Sequence, residues 1–127
     1  MKYLSILTIL ILISCAENKI LEKTGVIEIK YGSGGGFTGE VKSYTLTADS
    51  NLLEMGKELT KIDSKKTLAI FNEAKEIKDY TLDEPENMYS FIEIKTKDKT
   101  NRIVWAYGSK KVDKRITKLY KKLMLLK

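Results

Sequence analysis

The chain has no histidine and one cysteine, Cys15. Without an imidazole, the Ser–His–acid and Cys–His nucleophile arrangements are excluded, and so is a Cys/His zinc centre. With one thiol, no intramolecular disulfide can form. Proline occurs once, as Pro85, and glycine eight times in 127 residues. That is too little of either for a long disordered linker. Acidic residues are also outnumbered, 17 against 23 Lys and Arg, for a net charge of +6. What remains is a globular composition, 43% hydrophobic and 31% charged. The length suits one domain and is short for two.

The N-terminus reads as an address. Met1-Lys2-Tyr3 is a short positive start, and residues 4–13 form an apolar run of ten. That is the length of a signal-peptide core, short of the roughly 20 residues that cross a bilayer as a helix. Leu12-Ile13-Ser14-Cys15 closes it. These four residues resemble the bacterial lipoprotein signal: a Leu, an aliphatic or small residue, a small residue, then Cys. The resemblance implies cleavage before Cys15 and a diacylglycerol on its sulfur. Two or more acyl chains anchor a protein stably, where one does so marginally. An ordinary signal peptide with an incidental Cys, or an N-terminal anchor helix, is the plainer alternative. On the lipoprotein reading, residues 1–14 are removed. Residues 15–23 are then the lipidated Cys and a short tether, and 24–127 a single domain. Ala16 stands where an Asp often resembles an inner-membrane retention signal. Its presence favours the outer membrane, facing the periplasm.

Past the tether, periodicity places the elements. Thr24–Tyr31 alternates, with Ile27, Ile29 and Tyr31 on one side and Glu28 and Lys30 on the other, as a half-buried strand does. Gly32-Ser33-Gly34-Gly35-Gly36-Phe37-Thr38-Gly39 then reads as a loop. Residues 40–48 are strand-like, and residues 52–55 and 58–62 suit two short strands. Ser64 is a candidate N-cap for a helix over 65–78 with Leu68, Phe71, Ala74 and Ile77 on one face and Ile70 beside them. Residues 79–87 form a loop in which Pro85 disfavours further helix. Met88–Thr96 and Asn101–Tyr107 form a hairpin. Ser109 is a candidate cap for a last helix, whose stripe is Val112, Ile116, Leu119, Tyr120, Leu123 and Met124. The fold class expected is α+β, in the order β-β-(β)-α-β-β-α. Both amphipathic helices then cover one face of an antiparallel sheet. Each half could be a hairpin plus a helix, as after an internal duplication, although the residues do not repeat.

The glycine-rich stretch is the least generic feature. Gly34-Gly35-Gly36-Phe37-Thr38-Gly39 formally fits G-x-G-x-x-G, but a dinucleotide site needs a helix to open there. Strand-forming Val41–Thr47 follows instead, and Glu40 would repel phosphate, so no nucleotide is expected. The plain reading is an irregular hairpin connection, with glycines supplying positive φ and Phe37 tucked over the core edge. The functional reading is a recognition loop in which Phe37 is an exposed anchor. Trp105 and Tyr107 share a side of their strand with Ile103, and Tyr89 and Phe91 alternate in the paired strand. These aromatics are expected in the core. Asp83, Glu84 and Glu86 form an acidic cluster without calcium-loop spacing, so a solvated loop is the plain explanation. No metal, cofactor or catalytic residue is expected.

Basic charge gathers at the C-terminus. Residues 109–127 hold Lys110, Lys111, Lys114, Arg115, Lys118, Lys121, Lys122 and Lys127 against one acid, Asp113, while residues 15–108 have 14 basic and 16 acidic side chains. A solvated lysine face is one reading. An anionic membrane surface, lipopolysaccharide or an acidic protein is the other. Nucleic acid is set aside, because an exported protein does not meet it.

Residues 24–126 resemble small uncharacterised lipoproteins of Bacteroidetes-type bacteria. The resemblance is carried by Ile29-Lys30-Tyr31 with the glycine stretch through Gly39, Tyr44-Thr45-Leu46 and Arg102-Ile103-Val104-Trp105. It implies a small envelope domain and transfers no activity to any residue. The expected function is a non-catalytic envelope binding module with a protein partner, an inhibitor of a periplasmic enzyme being one version. A structural or assembly accessory is the alternative, and an enzyme a remoter one.

Overall fold

A computed structural model describes residues 19–126 of the chain. It has three helices, α1 (Lys19–Thr24), α2 (Ser64–Ile77) and α3 (Lys114–Met124). Its strands are β1 (Val26–Gly35), β2 (Lys42–Thr47), β3 (Asn51–Glu54), β4 (Lys57–Lys61), β5 (Asp83–Glu84), β6 (Met88–Thr96) and β7 (Thr100–Ala106). They form one sheet in the order β4-β3-β2-β1-β6-β7-β5. Neighbours are antiparallel except β5, which runs parallel to β7. The fold is α+β with a mostly antiparallel sheet and helices packed against it.

Alternation across the strands decides what is buried. Ile29, Tyr31, Leu46, Leu52, Ile92, Ile94, Ile103 and Trp105 face the helices. They meet Ile70, Phe71, Ala74 and Ile77 of α2 and Ile116, Leu119 and Leu123 of α3 in one cluster. Each large side chain fully buried there stabilises the fold by about 1.5–3 kcal/mol relative to exposure. Three contacts tie α3 to the sheet. Tyr31 donates its hydroxyl proton to the Leu123 carbonyl at 2.9 Å and stacks on Tyr44 at 5.6 Å between centroids. Tyr120 donates to the Gly32 carbonyl at 3.1 Å. Trp105 meets Tyr120 edge-on at 5.3 Å.

The structure corrects several expected boundaries. Residues 19–24 are helical rather than tether. The Thr24 hydroxyl donates to the Ile20 carbonyl at 2.7 Å, and Gly25 ends the turn at φ 71. A glycine just past a helix takes this left-handed conformation without a Cβ penalty. A register shift between Val26 and Glu28 then puts Val26 and Ile29 in the core and leaves Ile27 half-buried. The inserted residue of a bulge breaks the strict alternation expected of Ile27. Asp63, not Ser64, caps α2, accepting from the Lys66 amide at 3.4 Å. Thr67 takes the buried place expected for Leu68, with its hydroxyl donating to the Asp63 carbonyl at 3.1 Å. Asp113, not Ser109, caps α3, accepting from the Arg115 amide at 2.9 Å. Val112, expected on the helical stripe, precedes the helix and reaches the core from the turn before it.

Candidate functional site

Cys15 and the proposed signal peptide, residues 1–14, lie outside the described residues, as does Lys127. No described helix is long and apolar enough to cross a membrane.

The glycine-rich stretch divides into two parts with different physics. Gly32, Ser33, Gly34 and Gly35 are not loop. They continue β1, paired with Phe91, Ser90, Tyr89 and Met88 of β6. They were hidden as a strand because glycine has no β propensity of its own. Each absent side chain makes room. A Cβ on Gly32 would sit 1.8 Å from the Lys42 carbonyl oxygen, and one on Gly35 1.9 Å from that of Asn87. A Cβ on Gly34 would lie 2.5 Å from the Tyr89 hydroxyl. Neighbouring main chain thus fills the place of a side chain at Gly32 and Gly35, and the Tyr89 ring fills it at Gly34. Tyr89 lies over Gly34, as aromatics do when they cover strand glycines. Phe91, opposite Gly32, is 1% exposed although it is on the sheet face away from the helices. Its ring lies 6.4 Å from that of Tyr89 and 4.6 Å below the Arg102 guanidinium. Phe91 was expected in the same core as Trp105. It instead closes the opposite face.

The true connection is Gly36–Val41. Gly36 donates to the Asn87 carbonyl at 2.7 Å, and Gly39 donates back to Gly36 at 3.3 Å. The Glu40 amide donates to the Thr38 hydroxyl at 3.4 Å. Phe37 does not tuck over the core edge. It is fully exposed at the tip.

Other apolar side chains join Phe37 at the same sheet end. Val41 precedes Lys42, which pairs with Ser33. Met88 pairs with Gly35, and the Tyr107 amide donates to the Met88 carbonyl at 2.9 Å. The Met55 amide donates to the Ser43 carbonyl at 3.0 Å, and Ser43 pairs with Gly32. Of the seven large hydrophobic residues exposed among those described, five are here: Phe37, Val41, Met55, Met88 and Tyr107. Tyr107 was expected beside Trp105 in the core. β7 ends at Ala106, and Tyr107 is 73% exposed past the covered part of the sheet.

The acidic cluster touches this end. Asp83 and Glu84 form the short edge strand β5 against Val104 and Trp105. A shallow, open cleft of about 550 Å³ gathers Glu84, Glu86, Tyr107, Lys110 and Lys111. All five are exposed. Among the described residues, no group of three or more Cys, Asp or Glu could hold a metal ion.

The basic C-terminal side chains are all exposed, from Lys110 to Lys122. Two are occupied. Arg115 pairs with Asp113 at 2.9 Å, which holds that carboxyl below the ordinary aspartate range. Lys122 reaches Glu73 of α2 at 2.8 Å. Lys114, Lys118 and Lys121 follow at helical spacing on the solvent side, and Lys110 and Lys111 precede them in the turn after Tyr107. Sequence reasoning missed Val41, Met55 and Met88 as part of the tip. Gly56 between two short strand-like runs was the available signal, since it marks a tight turn that Met55 must share.

The chain is thus an α+β sheet domain with an apolar tip at the end of β1 remote from α1. No family model matches it, and no curated protein or solved structure does.

Proposed function

We propose that the protein is a lipid-anchored envelope module that binds a partner protein through the sheet end built by the glycine-rich connection. The observation that carries this reading is the grouping of Phe37, Val41, Met55, Met88 and Tyr107, all exposed, at one end of the sheet. Aromatic and Met side chains are enriched at protein interfaces. Exposed apolar residues scattered singly need no explanation, whereas a group of them marks a contact surface. Glu84, Glu86, Lys110 and Lys111 would supply the polar rim. Binding of this kind needs no catalytic group. On this reading Cys15 carries the lipid, and the protein faces the periplasm from the outer membrane. An inhibitor of a periplasmic enzyme would use the same tip, with Phe37 entering a cleft.

The test is cross-linking of the full chain in intact cells, followed by mass spectrometry of what is captured. The expected result is a discrete protein captured by the wild type and lost with Phe37→Ala at unchanged thermal stability. No discrete protein in any sample would overturn the reading.

A further inference from the structure

The opposite end of the sheet, where α1 enters β1, has a different character. A groove of about 830 Å³ opens between α1, the β2–β3 turn and the start of α2. Half-buried Ile20, Ile62 and Leu68 contribute its apolar lining. Lys19, Lys23, Lys61 and Lys65 also line it, and all four are exposed. Two carboxylates share the lining, Asp49 and Asp63. Asp63 is engaged as the cap of α2. None of the four lysines forms an ion pair with another described residue. Lys19 and Lys23 are one helical turn apart on α1 and so share a face.

The length of chain before α1 says what covers this groove. From Cys15 to Lys19 there are four Cα–Cα steps, a reach of about 14 Å at full extension. The headgroup layer of a leaflet is roughly 5–7 Å deep. Salt screens exposed charges over about 8 Å at physiological strength. If Cys15 is held by its lipid, Lys19 stays within about 14 Å of it, inside the headgroup layer plus one screening length where anionic lipids attract a cation, and Lys23 lies one helical turn further along α1. The basic C-terminal side chains are not the cations that the tether delivers first: Lys110 and Lys111 follow Tyr107 at the far end, and α3 is tied through Tyr120 to Gly32, in the half of β1 toward that end. Ammonium groups around an apolar lining suit a phosphodiester joined to glycerol and its first acyl carbons.

We propose that this groove docks on anionic phospholipid headgroups of the leaflet that holds the Cys15 lipid. Docking there holds the domain upright and turns the Phe37 tip away from the membrane. The inference rests on the proposed anchoring through Cys15, and the experiment separates the two. The full chain, isotope-labelled and purified from membranes of an expressing bacterium, is weighed intact and placed in nanodiscs of phosphatidylcholine with or without phosphatidylglycerol. A gadolinium-bearing headgroup lipid then broadens the amide signals of whatever lies near the surface. A mass without acyl groups overturns the anchor, and the docking with it. With the acyl mass present, the expected result is broadening of Ser50 and Ile62 but not of Phe37 and Tyr107. It requires phosphatidylglycerol and is lost on adding salt. Combined Lys19→Glu, Lys23→Glu, Lys61→Glu and Lys65→Glu should reduce the broadening at Ser50 and Ile62 to the level of the tip. The milder pair Lys61→Gln and Lys65→Gln should reduce it in part and guards against a folding defect. An acylated chain whose base and tip broaden equally, or whose α3 amides broaden most, overturns the docking alone.

Discussion

Replacing Gly32 by alanine tests whether the glycine-rich stretch is a strand or a loop. The new Cβ would stand 1.8 Å from the Lys42 carbonyl oxygen, 2.9 Å from its carbon and 3.0 Å from the Ser43 Cα. All three are main-chain atoms of β2, so no rotamer change relieves the contact. β2 would have to move by more than an ångström. It is held by pairs from Glu28↔Thr47 to Ser33↔Lys42 on one side and by β3 on the other. Overpacking costs about 1–3 kcal/mol. Each ladder hydrogen bond lost adds about 0.5–1.5 kcal/mol. Together the expected loss is about 3 kcal/mol, a large part of the roughly 5–15 kcal/mol of a typical domain. At about 4–8 °C per kcal/mol, the midpoint should fall by roughly 12–24 °C. Thermal unfolding followed by circular dichroism measures it. Gly36→Ala, whose Cβ meets nothing within 4 Å but whose φ is 83°, should cost only about 1 kcal/mol. Gly32→Ala within about 1 kcal/mol of wild type would refute the strand reading.

Three other outcomes follow from named contacts. Tyr31→Phe removes the proton donated to the Leu123 carbonyl and should cost about 1–2 kcal/mol in denaturant unfolding. Burial, with Tyr44 and Tyr120 nearby, pushes the Tyr31 phenol above its ordinary value of 10. Its contribution is therefore complete below pH 10 and falls by about 1.4 kcal/mol per pH unit above it. The Phe variant should lose stability less steeply there; equal slopes would count against the assignment. Asp113→Ala removes the cap of α3 and the partner of Arg115, so the melting temperature should fall at neutral pH. Because the folded Asp113 carboxyl is held low, the difference should persist above the ordinary aspartate pKa of 3.8 and fade as pH drops through the lowered value. Met55→Asn places a residue that tolerates positive φ before Gly56 and should raise stability by about 0.5–1 kcal/mol in thermal melts.

The architecture was legible wherever apolar residues recur with one period. The Ile116–Met124 stripe of α3 and the β6–β7 hairpin are examples, because burial alone selects them. Legibility failed where backbone chemistry decides. Gly25 marks the end of α1, yet the helix has only six residues and Ile20 and Leu21 give it no period. The bulge at Val26 breaks the alternation that Ile27 and Ile29 suggest. Gly32–Gly35 resembles a loop by composition and is a strand by pairing. Its strand character rests on Tyr89 and Phe91 more than fifty residues away, which no local pattern reveals. The Phe37 tip could be named from sequence, but its exposure and its companions Met55 and Met88 depend on which strand ends the topology brings together.

Stability and position separate the two ends of the sheet. At the α1 end, Gly25 ends a helix and Asp63 caps one. The strained residue there, Ser50 at φ 68, is buried with its amide donating to the Thr47 carbonyl at 3.0 Å and its carbonyl accepting from the Ile62 amide at 2.7 Å, so the fold accounts for it. At the Phe37 end the exceptions are exposed. Met55 holds φ at 50°, a conformation unfavourable by about 1–2 kcal/mol for an L residue with a long side chain. An Asn-Gly pair would make the same type I′ turn without that cost. Its sulfur accepts from the Ser43 amide at 3.4 Å, a weak return for the strain. Phe37 and Tyr107 expose rings where polar residues would satisfy the same turns. Places where local rules are broken without gain to the fold are where a functional contact is expected. Packing explains Gly32, Gly34 and Gly35 completely. It gives no reason for Met55, Phe37 or Tyr107, and the proposed binding to a partner at that end would supply one.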